Sequence, residues 1–204
     1  MKDRKPFSKE IILLDSPEKT TEAIVEKLRR DVLVNFKRQG AIVGISGGID
    51  SSVCLALAVR AFGTDKVTGI IMPEKDSSPD SEELALELAG VFGVRTIKEV
   101  ITGALDGFGC YRRRDEAVKR VFPEYDPASY KMKIGIRQSG LYNNLPPLFT
   151  LSIIDSKGVQ QDKILNARDY LQIVAASNFK QRSRMSILYY HAEAMHYAVI
   201  RSEE

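Results

Sequence analysis

Within the run Gly44-Ile45-Ser46-Gly47-Gly48-Ile49-Asp50-Ser51-Ser52 stand groups that hold a phosphate, together with one group that repels it. Gly47 and Gly48 carry no side chains, so backbone N–H groups can approach an anion, and Ser46, Ser51 and Ser52 add hydroxyl donors. Asp50 is the odd member. A carboxylate beside a phosphate repels it unless a cation lies between them, which implies magnesium (Mg2+) bridging the protein and a pyrophosphate. Two commoner phosphate motifs are excluded by spacing. The ATPase P-loop needs a lysine that reaches the terminal phosphates, and no lysine occurs between Lys37 and Lys66. Gly44, Gly47 and Gly48 do not give the G-x-G-x-x-G of a dinucleotide site.

The flanking residues say what holds this turn. Ala41 to Ile45 is a short apolar run of the kind found in a buried parallel strand, and Ser51 to Phe62 is a strong helix former. Gly44 to Ser52 therefore caps a strand where open α/β sheets bind ligands. Val67 to Met72 reads as a second buried strand. A polar loop, Pro73 to Pro79, leads from it into a helix from about Ser81 to Phe92, and a third strand follows at about Thr96 to Ile101. Ahead of them, Thr20 to Arg38 spaces Ile24, Val25, Leu28, Val32, Leu33 and Phe36 as an amphipathic helix that packs on the sheet. Right-handed crossovers in such a β-α-β-α-β series predict a doubly wound parallel sheet with helices on both faces, α/β and Rossmann-like. Residues 1–204 are expected to form one domain.

Residues 102–177 read as an insertion in that domain. Tyr111-Arg112-Arg113-Arg114 opens a charged helical stretch to Arg120, which Phe122 to Pro127 breaks, and Asn143 to Pro147 marks a further loop. Leu148 to Ile154 and Val159 to Ile164, joined by Asp155-Ser156-Lys157-Gly158, predict a hairpin. The arginine cluster reads as a solvated helix face, with contact to a phosphate as the alternative. Asn178-Phe179-Lys180-Gln181-Arg182-Ser183-Arg184-Met185 then opens a long helix over Arg184 to Tyr197, with a short apolar run from Tyr197 to Ile200. Arg182 and Arg184 suit phosphate or carboxylate groups, or are plain surface charges. Asn178 is a ligand or a helix cap. His191 and His196 are five apart, off any shared helix face, and read as packing or surface residues.

The Ser-Gly-Gly-x-Asp-Ser signature resembles the PP-loop ATP pyrophosphatases, the adenine nucleotide alpha-hydrolase-like superfamily. Strand, Met72-Pro73, a polar loop and an acidic helix start are similar to NAD synthetase, and so is Asn-x-x-x-Arg-x-Arg-Met ahead of a helix. The resemblance covers most of residues 20–100 and 178–200. It implies ammonia-dependent NAD synthesis: ATP adenylates the carboxylate of deamido-NAD, ammonia displaces AMP, and pyrophosphate leaves. On that likeness Ser46 and Asp50 are catalytic; Gly44, Ile45, Ser46, Gly47, Gly48, Ile49, Asp50, Ser51 and Ser52 bind ATP; and Asn178, Arg182 and Arg184 bind deamido-NAD. Asp50 and Glu203 would carry magnesium. The likeness further implies a homodimer, with the insertion as a lid or dimer contact. Compared with the family, the sequence lacks a Gly-Thr loop after Tyr197 to Ile200 and the stretch beyond it, so it reads as shortened at the C-terminus. Another PP-loop ligase with a different acceptor, or a truncated non-catalytic ATP-binding module, is the alternative.

Composition fits a cytoplasmic enzyme domain. Of the residues, 44% are apolar and 28% charged, ordinary globular usage, and no long apolar run suggests a membrane span or signal peptide. Cys54 and Cys110 lack the spacing of a zinc site or a disulfide framework. A net charge of +3 gives no reason to expect a nucleic-acid partner.

Overall fold

The structure, a computed structural model, describes residues 13–137 and 148–202. Glu203 and the Asn143 to Pro147 loop lie outside the described residues. The chain divides into two compact units, Met1–Val100 with Ile187–Glu204, and Ile101–Ser186.

The first unit is built on a parallel sheet in the order β3-β2-β1-β7, from β1 (Ala41–Gly44), β2 (Val67–Ile71), β3 (Arg95–Lys98) and β7 (Ala198–Ile200). Ala41, Ile42 and Val43 are fully buried because they lie in the middle of a sheet covered on both faces, which is why the strand reads as an unbroken apolar run. On one face α2 (Ile49–Phe62) and α3 (Pro79–Phe92) set Leu55, Ala58, Ala85 and Ala89 against Val43, Ile45 and Ile71. On the other, the end of α6 (Ala167–Met195) brings Leu188 Cδ1 to 3.3 Å from where a Cβ on Gly44 would stand. The predicted doubly wound α/β sheet is therefore observed, with its strand order reversing between β1 and β7.

Three expected elements differ in detail. The third strand starts at Arg95 and ends at Lys98, short of the predicted Ile101. The first helix, α1 (Pro17–Arg29), is capped by Ser16, whose hydroxyl accepts from Lys19 N at 3.3 Å, and it runs on into a π-helical turn, Arg30–Asn35. There Phe36 N bonds Asp31 O, five residues back. The wider turn rotates the apolar stripe, so Val25 and Val32 are buried whereas Leu33 and Phe36 are exposed. At its end Arg29 donates to the Ala61 and Arg60 carbonyls of α2.

The third difference concerns α6, which starts at Ala167 instead of Arg184. Asn166 Oδ1 accepts from Asp169 N at 2.9 Å while Asn166 Nδ2 donates to Asp169 Oδ2 at 2.7 Å, a reciprocal cap upstream of the expected start. Asn178 is thus mid-helix and caps nothing.

The second unit holds α4 (Thr102–Gly107), α5 (Cys110–Val121) and an antiparallel sheet in the order β4-β5-β6, from β4 (Tyr130–Arg137), β5 (Leu148–Asp155) and β6 (Gln160–Ile164). The predicted hairpin is β5-β6; β4 was not expected. Its core joins Ala117, Val118 and Phe122 to Leu151, Ile153 and Ile173.

Candidate functional site

The loop after β1 is shaped by two glycines with different tasks. Gly47 has φ +75°, in the left-handed region that glycine adopts without strain, and a Cβ there would meet Leu84 Cβ at 2.8 Å and Ser81 O at 3.1 Å. Gly48 is the residue before the helix, extended at φ −81° and ψ 156°, with no side chain in front of the first turn of α2. The N–H groups of that turn have no intrahelical acceptor, and the helix dipole adds partial positive charge. Together these features make an open, side-chain-free anion cradle.

The serines knit the loop internally. Ser46 N donates to Ser51 Oγ at 3.3 Å, the Ser46 and Ser51 hydroxyls are 3.2 Å apart, and Gly48 N donates to Ser46 Oγ at 3.4 Å. Ser51 and Ser52 hydroxyls both donate to Gly48 O, at 2.9 and 3.0 Å. To serve an incoming phosphate they rotate away from that carbonyl, and the Ser46 and Gly48 amides exchange their serine partners for its oxygens. Asp50 and Ile49 are exposed, Ile49 at 78%. One turn on from Asp50, Cys54 is half-buried; burial first, then the Asp50 carboxylate, push the thiol above its usual range.

Residues Gly44 to Ser52 form the passage from β1 into the first turn of α2, the strand-to-helix turn that the sequence predicts. Asp50 fits magnesium, an ion held through one or two carboxylates and substrate phosphates; among the described residues no group of three or more His, Cys, Asp or Glu could hold a metal unaided. Asn178, Arg182 and Arg184 lie on α6, in the other unit. Asn178 and Arg182 share one helix face, but two steps of the helix put Arg182 and Arg184 on opposite sides, so the two guanidinium groups do not form one fork.

The carboxyl edge of the sheet carries further residues that the sequence did not single out. After β2, Glu74 N donates to Ser77 Oγ at 3.1 Å and Asp76 N to Glu74 Oε2 at 3.1 Å, making a tight turn before α3. After β3, Glu99 Oε1 lies 2.8 Å from Nε2 of the buried His191. His191 is indeed a packing residue, but one clamped on a carboxylate. His196 is exposed, with Arg38 Nη1 at 3.0 Å from its Nδ1. Among the described residues no helix is long and apolar enough to cross a membrane.

The same fold recurs in known proteins. The fold matches an NH3-dependent NAD synthetase from Campylobacter jejuni at a TM-score of 0.56 with 21% identity, covering 91% of this chain and 56% of that one. In sequence, the NH(3)-dependent NAD(+) synthetase of Mesorhizobium japonicum is 44% identical over 178 residues, 87% of this chain and 55% of the relative. That of Rhizobium meliloti is 39% identical over 198 residues, 97% of this chain and 58% of the relative. The chain spans little more than half the length of these relatives. The NAD synthase family pattern matches residues 20–145, which include the glycine cradle, strands β1 to β3 and much of the second unit. A Ser-Gly-Gly-x-Asp-Ser turn closing β1 of such a sheet, within a sequence matched over more than half its length, means that the chain belongs to the NAD synthase family.

Proposed function

We propose that this chain carries out the ATP-dependent step of NAD synthesis with ammonia: activation of the deamido-NAD carboxylate, then its amidation, with release of AMP and pyrophosphate. The observation that carries this reading is the cradle itself, in which Gly48 leaves the amino end of α2 bare while Gly47 turns the backbone toward it. In this role the backbone amides of residues 46–48 hold the phosphates, Ser46 steadies the loop around Ser51, and Ser51 and Ser52 turn their hydroxyls from Gly48 O to phosphate oxygens. Gly44 and Ile45 set the loop on the strand end, and Ile49 starts the helix above it. Magnesium, when bound, neutralises charge on the departing pyrophosphate. Asp50 would hold it, with Glu203, next in sequence after Ser202, as the second carboxylate. Nothing in this scheme asks for a covalent enzyme nucleophile, since positioning and electrostatics supply the acceleration.

On the same reading Arg182, with Asn178 one turn before it, contacts deamido-NAD, and Arg184 serves a separate group of that substrate or of the chain. Pairing with a second copy as a homodimer belongs to the proposal, as do the lid or dimer role of residues 102–177, a single functional domain over residues 1–204, and a cytoplasmic setting.

The test is incubation of the full chain with deamido-NAD, ATP, magnesium and ammonium. Stoichiometric NAD, AMP and pyrophosphate are expected, and Asp50→Asn should remove the magnesium-dependent turnover without unfolding the protein. ATP consumption that ignores deamido-NAD would point to another acceptor, and ATP binding without product to a binding module. Arg182→Ala should raise KM for deamido-NAD more than for ATP; equal rises would put the arginine in the wrong subsite.

A further inference from the structure

Glu99 stands on the row of the parallel sheet that continues just past the strands. Ile71 pairs with Lys98 and Gly44 with Ile70, and Glu99 N donates to Ile71 O at 2.9 Å, so the next row across the sheet holds Ser46, Met72 and Glu99. With adjacent strands about 4.8 Å apart, the Ser46 and Glu99 backbones are separated by about 10 Å. That separation is comparable to the reach of a nucleotide from its phosphates to its base.

Side-chain direction adds to this placement. Lys98 pairs with Glu82 of α3, so Glu99, next along the strand, projects to the opposite face, the one covered by α6. There Nε2 of His191 lies 2.8 Å from Oε1 of Glu99. A carboxylate only accepts, so Nε2–H donates and fixes the carboxylate in place. The histidine is 8% exposed, whereas the Glu99 side chain is 36% exposed, and its Oε2 has no partner among the described residues. On the same face Met72 Cε and Leu188 Cδ1 both come within 3.3 Å of the point a Cβ on Gly44 would occupy, laying flexible apolar groups near the loop end of β1. The sheet edge therefore carries an anion cradle, apolar groups suited to a flat ring, and two strands away a single oriented acceptor.

We propose that Glu99, held by His191, accepts a hydrogen bond from the exocyclic amino group of the purine base of the nucleotide on the Ser46 to Ser52 loop, and so selects adenine over a 6-oxopurine. The proposal rests on the reading of that loop as the ATP site. Glu99 is a specificity-determining residue and His191 a positioning residue acting through it. Other donors of a nucleoside, the ribose hydroxyls, are the same in ATP and ITP and do not enter the comparison.

Calorimetric titration of the full chain with magnesium plus ATP, ITP or inorganic pyrophosphate tests it. ATP should bind at least about tenfold more tightly than ITP, as expected for a hydrogen bond to a charged acceptor. In Glu99→Gln, His191 keeps the amide oxygen and the amide N–H groups face the base, so the preference should vanish or reverse while pyrophosphate affinity is unchanged. His191→Leu should shrink the ATP-to-ITP ratio and likewise spare pyrophosphate, a split that a merely structural clasp does not give. Equal binding of ATP and ITP by the unaltered chain, a result independent of whether any variant folds, would overturn the proposal, as would a Glu99→Gln variant with the original ratio. Binding of neither nucleotide would overturn the loop reading as well.

Discussion

The two units solve opposite packing problems, and the one that carries the glycine cradle is the more acidic. The unit of Met1–Val100 and Ile187–Glu204 buries a parallel sheet on both faces and carries sixteen Lys and Arg against nineteen Asp and Glu; the unit of Ile101–Ser186 buries one face of an antiparallel sheet and carries fourteen against eight. The glycine cradle thus belongs to the net-acidic unit. On the proposed reading, anion binding there rests on loop amides and a helix end, which act at contact distance, and not on net charge. In the basic unit, by contrast, cations are spent on structure. Arg120 Nε donates to Asp169 at 2.7 Å and its Nη2 to Gln172, Arg114 pairs with Asp115 at 2.8 Å, and Lys163 donates to Val121 O over the Phe122 ring. Counting arginines would point away from the proposed ATP loop.

That contrast can be broken most forcefully through the second core. Phe122 is fully buried, and Phe122→Ala should cost about 4 kcal/mol in chemical denaturation. Hydrogen exchange should show the loss at α5 and β5 while β1 amides keep their protection; equal loss in both units would mean that they are not separate cores. Gly40→Ala strikes the first unit alone, because its Cβ would lie 2.2 Å from the Lys66 carbonyl oxygen and 2.8 Å from the Tyr197 ring. Neither backbone nor ring can easily retreat, and a loss of about 3 kcal/mol is expected, read as a lowered denaturation midpoint.

Asp169 gives a smaller effect with a pH signature. Its burial works to raise the carboxyl pKa, but the hydrogen bonds from Arg120 and Asn166 and the charge of Arg120 outweigh it, and the net value falls below the ordinary 3.8. A depressed folded-state pKa contributes stability above the unfolded value that is lost as pH falls through the folded one. Asp169→Asn should therefore cost about 1 to 2 kcal/mol near neutrality. The gap from the parent should close as acid is added below about pH 4, in the range where carboxylates titrate. The smallest change expected is a gain. Lys37 is exposed with φ 53°, and Lys37→Gly should raise stability by up to about 1 kcal/mol by relieving the left-handed strain before β1.

Much of the first unit was legible because burial on both faces writes a strand as a continuous apolar run, and Ala41 to Gly44 and Val67 to Ile71 emerged where expected. The β5-β6 turn was legible too, since Asp155 Oδ1 accepts from Lys157 N and Val159 N while Gly158 takes φ 83°. Strand β4 was overlooked although Tyr130, Met132, Ile134 and Ile136 alternate with Lys131 and Lys133, the period of a strand with one wet face. The start of α6 depends on how the Asn166 and Asp169 side chains meet, and the π-helical turn at Arg30–Asn35 breaks the helical period that sequence reading assumes. At the site, the glycine cradle is local in sequence and could be read directly. The Glu99 and His191 pair joins residues 92 apart, and neither has a neighbour that signals the other.

The central claim is that the Gly44 to Ser52 loop holds the phosphates of ATP through its amides, with magnesium on Asp50. Calorimetric titration of the chain with ATP, with and without magnesium and repeated for Asp50→Asn, tests it most directly. The account predicts one ATP per chain, bound more tightly with magnesium in the parent and without that gain in the variant. No ATP binding by the parent, or the same magnesium gain in Asp50→Asn, would contradict it.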